Sequence, residues 1–419
     1  MRPSRFHVVA AVLVALATSA SACSVIVGVG DITFVGNGGT DGGADSGTPS
    51  DARTTKHDAD AAADARHDAQ DDARDANHTS DASVDGDARR TTDAHLDAFD
   101  GGNAAEAGQI VWTAEAGYLP NGIAVGGAYT FWTVGPAEVS SGLTGAVWGS
   151  GPVVPPTAIV SGQSNPYGVT TDGTNVYWTN FCCAGCSDGG TPGATCDVLQ
   201  VDQGLLLGVS SAPVTLATKQ SFPAGISVND TTVYWASYGG SNTGGVTATA
   251  IGGSGNTTPS VVGGEITDVA ACGASLYWAN LSAAAVGQIP SPSVAFSSSD
   301  PFAIACDATD FFWLNAGSAS SGVYAVTGTS LAVLPGGGWS PGANGGYPVG
   351  AIATDDTNVY WVDTLGGNVM RASKALGAPT VLASHQAMPW SIALYTLSGA
   401  TTIVYWVNHG DRTVRSLFL

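Results

Sequence analysis

The sequence is short of charge, and shortest of positive charge: Lys and Arg number 13 against 34 Asp and Glu. Beyond residue 106 there are five bases, Lys219, Arg371, Lys374, Arg412 and Arg415, set against 16 acids. No basic patch exists to meet phosphates, so no nucleic acid is expected as a partner. Long hydrophobic runs are also missing. The run Val8 to Ala17 is too short to span a bilayer as a stable helix, and no later segment is long and apolar enough to do so. Nor does any useful length of chain show the apolar period of an amphipathic helix, which argues against a helical fold. From about Asn37 to Ala107 almost nothing large and apolar appears beyond Leu96 and Phe99. Such a tract cannot bury enough surface to offset the entropy of ordering its backbone, and it reads as a disordered Asp/Ala-rich tether.

What is present divides the chain into three zones: residues 1–22, 23–107 and 108–419. The first carries Arg2 and Arg5, the short apolar run, and then the small residues Ala20-Ser21-Ala22. That order is the pattern of a secretory signal peptide. Cys23 follows at once. Ala20-Ser21-Ala22-Cys23 resembles the lipobox of bacterial lipoproteins, although Ala20 stands where that family more often has Leu. The resemblance implies that Cys23 is acylated and that the protein is anchored to a membrane by lipid alone. Ser24 lacks the Asp that marks inner-membrane retention in some bacteria, so the outer membrane is the expected location, on its periplasmic or surface side. The zone from residue 23 to residue 107 would then be a spacer spanning about 45 Å on average. Its histidines, His57, His67, His78 and His95, read as solvated tether residues.

The third zone repeats one signature, an aromatic followed by Trp: Phe131-Trp132, Tyr177-Trp178, Tyr234-Trp235, Tyr277-Trp278, Phe312-Trp313, Tyr360-Trp361 and Tyr405-Trp406. Its intervals of 46, 57, 43, 35, 48 and 45 residues indicate a propeller or solenoid. Four short strand-like pieces surround each copy, separated by Gly- and Asp-rich turns, and four strands make a propeller blade. The last repeat ends at Leu419 after a third strand, while Gln109 to Trp112 precedes the first repeat as a spare fourth strand. The expected fold is therefore all-β: a seven-bladed β-propeller of four-stranded blades, closed by an N-terminal strand and preceded by the tether. The aromatic-Trp pairs should fill the wedges between blades. Val176-Tyr177-Trp178-Thr179-Asn180 and Val359-Tyr360-Trp361-Val362-Asp363 resemble the YWTD propellers of the low-density lipoprotein receptor family. That family has six blades, so the resemblance supports the fold class and leaves ligand binding open.

Six cysteines follow Cys23. Cys182, Cys183, Cys186 and Cys196 lie in one insertion of blade two, and Cys272 and Cys306 near the ends of neighbouring first strands. An even number in an exported chain reads as disulfides, with a four-thiolate zinc site as the alternative for the insertion. No metal and no cofactor is expected.

In a propeller the second-to-third and fourth-to-first connections share one face. That rule gathers Tyr238, Trp339, Tyr347, His385, His409 and Asp411 into a candidate binding face, with Asn180, Asn280, Asn315 and Asn408 as polar contacts. An envelope protein or a glycan would suit such a surface, and a monomer is expected. No catalytic residue is assigned. Related propeller folds include lyases and lactonase-like hydrolases, so a propeller enzyme is the alternative. Asp172, Asp307 and Asp355 are better explained as turn formers.

Overall fold

The computed structural model describes residues 26–27, 107–138, 143–181, 196–209, 211–238, 244–253, 258–289, 294–298, 300–315, 322–327, 330–333, 349–375, 377–397 and 401–419. Seven antiparallel sheets form the blades of a propeller. The first strands are Tyr118–Gly126, Pro166–Thr171, Pro223–Val228, Ile266–Cys272, Pro301–Cys306, Val349–Thr354 and Pro389–Leu397. Each lies beside the first strands of the blades before and after it, and the seventh lies beside the first, so these strands ring the axis.

The repeat sets the register. In every blade an Ile or Val of the first strand stands opposite the signature Trp: Ile123 with Trp132, Val169 with Trp178, Ile226 with Trp235, Val269 with Trp278, Ile304 with Trp313, Ile352 with Trp361 and Ile392 with Trp406. Six of these Trp side chains are less than 2% exposed and Trp278 is 7% exposed. Residues on the two sides of a pleat are both buried because each sheet is covered by a neighbour on either face.

Blade seven combines the two ends of the zone. Its strands are Pro389–Leu397, Thr401–Asn408, Thr413–Phe418 and then Gln109–Thr113, which pairs antiparallel with Thr413–Phe418. Gln109 stands opposite Ser416 and Thr113 opposite Thr413. Pairing the two ends in one sheet removes the open strand edge each would otherwise present. A strand inside the span read as tether joins the same sheet on its inner side: Ile26–Val27 pairs with Pro389–Leu397.

Strands alternate in direction, so the connections alternate between two faces. The upper face carries the second-to-third and fourth-to-first connections, and the lower face carries the other two kinds. On the lower face, Asp172 Oδ1 accepts from the backbone N–H of Thr174 and Asn175 at 2.8 and 2.6 Å, and its Oδ2 accepts from the Tyr177 hydroxyl at 2.7 Å. Asp355 repeats this with Thr357, Asn358 and Tyr360. Asp307 closes its turn through Thr309 and Asp310, and its carboxylate pairs with Lys374 of the next blade. These carboxylates act as turn formers, as their sequence setting implied.

Blades are joined by short polar side chains reaching the next first strand. Thr133 Oγ1 donates to the Tyr167 carbonyl at 2.5 Å and accepts from the Gly122 amide at 2.9 Å. Thr179 does the same between Ala224 and Gly168. Asp268 does the corresponding work from a different position. Fully buried, it accepts from its neighbour Val269 at 2.9 Å and from Ile304 of the next blade at 3.0 Å. Burial raises its pKa well above the usual carboxylate range, against the pull of those two amides. Its side chain occupies the space that a Cβ on Gly225 of the preceding blade would need. Cys272 and Cys306 are bridged, with Cα atoms 6.0 Å apart, which ties blade four to blade five as their positions implied.

Gly225→Ala is expected to destabilise by about 1 to 3 kcal/mol through this overlap. In Gly225→Ala/Asp268→Ala the loss should be smaller than the sum of the two single losses, because deleting the carboxylate makes room for the methyl group. Denaturant unfolding of the four proteins checks it, and strict additivity would contradict the contact.

Candidate functional site

The upper face is built on a recurring clasp. The residue three before the start of a first strand accepts a hydrogen bond from the indole N–H of that blade's signature Trp. Gln163 takes it from Trp178 at 3.0 Å, Gln220 from Trp235 at 3.0 Å, Ser298 from Trp313 at 2.8 Å and Gln386 from Trp406 at 3.0 Å. The Asn two residues after the Trp joins the clasp. Asn180 donates to Gln163 at 3.3 Å, Asn408 donates to Gln386 at 3.2 Å, and Asn315 bonds Ser298. Asn280 caps its own turn, accepting from the Ala283 amide at 2.9 Å. All four Asn are buried. They fix the loops from beneath and are not presented on the open face, where the sequence reading had placed them.

The six residues gathered by the face rule have different surroundings. His385, His409 and Asp411 come together around blade seven, because the turn at 409–412 is hydrogen-bonded to the incoming loop at 384–388. The His409 amide donates to the Met388 carbonyl at 3.0 Å and the Gly410 amide to that of Ala387 at 2.8 Å. His385 is exposed, with φ of 56° and its ring 3.0 Å from the Ser384 hydroxyl. Tyr238 is half-buried on blade three, its amide donating to the Phe222 carbonyl at 3.0 Å. Trp339 and Tyr347 lie outside the described residues.

His409 stacks on Trp390, ring centroids 4.4 Å apart and planes 18° from parallel. It hydrogen-bonds the backbone of Pro120 in blade one, while Nε2 is buried without a partner. Burial pushes its pKa down to about 3, with the Pro120 contact opposing. The imidazole is therefore neutral at physiological pH and serves as a flat apolar plate across the seam between blades seven and one.

Asp411 is committed to another task. Its carboxylate pairs with Arg415 at 2.7 Å and accepts from Thr413 Oγ1 at 2.6 Å. Arg415 in turn donates to the carbonyl of Ala107 at 2.9 Å, and Gln386 donates to that same carbonyl at 3.2 Å. This latch grips the chain just before its closing strand. Asp411 lies in the second-to-third connection of blade seven, and its partner Arg415, four residues away, gives it a structural role.

Sequence reasoning did not single out the apolar side chains of this face. Leu143, in the second-to-third connection of blade one, is 45% exposed; Leu365, in that of blade six, is 45% exposed; Met388, entering blade seven, is 44% exposed. They sit on three consecutive blades around the latch. Single Leu or Met residues in loops carry no repeat signal, and only the ring arrangement brings them to neighbouring blades. In the cysteine insertion, Cys182, Cys183 and Cys186 lie outside the described residues, and Cys196 is disulfide-bonded, which removes it as a thiolate ligand for zinc. Among the described residues no three His, Cys, Asp or Glu side chains converge as a metal site would require.

No family model matches the chain. No curated protein matches it either. Among solved structures, it is similar to a chain in a mitotic checkpoint complex, with a TM-score of 0.52 and 13% identity over 81% of this chain and 99% of that one. A streptogramin B lyase gives a TM-score of 0.42 at 14% identity, over 61% and 84%. A chain in a nidogen/laminin complex gives 0.39 at 13%, over 53% and 90%. At such identities the likeness is one of fold alone.

The unfolded chain protonates a histidine below about pH 6.5, whereas native His409 stays neutral down to about 3. Stability contributed by this group is thus present above pH 6.5 and is lost as pH falls towards 3, with a slope of at most about 1.4 kcal/mol per pH unit. His409→Phe should flatten that part of the pH–stability curve. Parallel curves for the two proteins would contradict the neutral, buried imidazole.

Proposed function

We propose that the chain is a lipid-anchored, extracytoplasmic interaction module that holds a protein of the cell envelope on the upper face of blades six, seven and one. The observation that carries this is the exposure of Leu143, Leu365 and Met388 on three adjacent blades. Large apolar side chains grouped on a rigid surface lose water on contact with a partner and gain about 25 cal/mol for each Å² buried. Met adds a deformable side chain suited to an uneven partner surface. Beneath them the Gln386 clasp and the Trp390–His409 stack hold the loops in place, so that little conformational entropy is lost on binding.

The anchor belongs to the same reading. Acylated Cys23 would fix the protein in the outer membrane, and the Cys272–Cys306 bridge suits an oxidising compartment outside the cytoplasm. Val, Ala, Gly and Thr strands supply the scaffold, and the binding surface is grafted on it.

The experiment compares proteins captured from an envelope extract by the purified wild type and by Leu143→Asp/Leu365→Asp/Met388→Asp, both first shown to unfold at similar temperature. A partner retained by the wild type and reduced at least tenfold with the variant is the expected outcome. Equal capture by both proteins would move the contact surface elsewhere.

A further inference from the structure

Two features are untouched by binding on the upper face. The first is the strand Ile26–Val27. Ile26 stands opposite Ile392 and Val27 opposite Ser391 in the innermost strand of blade seven. The strand also lies within 8 Å, Cα to Cα, of the first strands of all seven blades. Only the axis of the propeller is that close to seven inner strands at once. Val25, Ile26, Val27 and Val29 are β-branched, as a strand-forming segment requires. Pairing also covers part of an inner strand edge that would otherwise face the channel.

Direction follows from the pairing. First strands run from the upper face to the lower, and the axial strand is antiparallel to one of them. Its N-terminal end therefore points to the lower face. Cys23 precedes Ile26 by three residues, which reach at most about 10 Å even when fully extended.

The second feature is the distribution of side chains around the lower rim. Val153, between the third and fourth strands of blade one, is 88% exposed. Leu207 and Val209, in the same connection of blade two, are 58% and 53% exposed, and Phe418, at the lower end of blade seven, is 62% exposed. Blades seven, one and two are consecutive around the ring. The first-to-second turns of blades seven, one and four contain no acid, whereas those of blades two, three, five and six carry Asp172, Asp230, Asp307, Asp355 and Asp356. The exposed apolar side chains of the lower rim are thus gathered on blades seven, one and two, and turn carboxylates are absent from blades seven and one.

We infer that the lower rim of blades seven, one and two rests on the bilayer that receives the acyl chains of Cys23, so that the upper face points away from the membrane. This rests on the reading of Cys23 as a lipid anchor. In chain order the acidic tract begins after the axial strand, so it does not separate anchor from propeller. The anchor and the apolar rim act at the same face, where burial of the rim side chains adds to the hold of the acyl chains.

Two measurements test this. In the soluble Cys23→Ser chain, Val27→Cys/Ser391→Cys should form a disulfide found by peptide mapping, since directly opposed strand residues have the required spacing. Both thiols remaining free under oxidation would overturn the axial placement. In the full-length acylated chain on phosphatidylcholine vesicles, an environment-sensitive dye at Val153→Cys should be quenched by spin-labelled lipid several-fold more than the same dye at His385→Cys, with the unsubstituted chain as the blank. Stronger quenching at position 385, or none at either, overturns the orientation. The mass of the N-terminal peptide is read in the same sample. Absence of acyl groups on Cys23 sinks the anchor reading and this inference together, and so separates that failure from a wrong orientation.

Discussion

The pairing of Gln109–Thr113 with Thr413–Phe418 is the interaction on which the rest of the structure depends. Seven wedge-shaped blades bury their faces only against each other, so an unclosed ring would leave two faces and two strand edges in water. Each closing hydrogen bond is worth only about 1 kcal/mol net. Its leverage is geometric. It fixes the seventh blade, and with it the contact that blade makes with the first, where Trp390, His409 and Pro120 meet. Asp411, Arg415 and Gln386, all of blade seven, converge on Ala107 and hold the strand where it enters the sheet.

Closure also explains why the two candidate surfaces gather around blades seven and one. The seam between the chain ends is the place where the repeat is broken, and departures from the repeat are concentrated there. On the upper face these departures are Leu143, Leu365, Met388 and His385; on the lower face they are Val153 and Phe418. Blades three to five follow the Trp pattern with fewer additions in their described residues. A propeller that repeats faithfully presents the same surface on every side. Function requires that the symmetry be spoiled somewhere.

The fold was legible because its determinants are periodic. The aromatic-Trp pairs, the turn Asp residues and the unmatched strand at Gln109 each answer to a rule of spacing or topology. The structure places them accordingly, and the bridge between Cys272 and Cys306 follows from the same register. The site was less legible for a specific reason. Asn180, Asn280, Asn315 and Asn408 carried the right chemistry for an exposed contact, but their distance of two residues from a buried Trp puts them in its layer, where Gln, Ser or a turn amide takes up their hydrogen bonds. Gln163, Gln220 and Gln386, each three residues before a first-strand Pro, were the signal that could have revealed this. Ile26–Val27 was missed because two apolar residues next to a polar tract have no period at all.

Hydrogen exchange of the third strand of blade seven is the most direct measurement of closure. Amides of Thr413–Phe418 that pair with Gln109–Thr113 should exchange only by global unfolding in the intact chain. Deleting residues 109–113 should bring them to near-solvent rates and lower the unfolding temperature of the whole propeller. Unchanged protection and an unchanged unfolding temperature after that deletion would contradict the account.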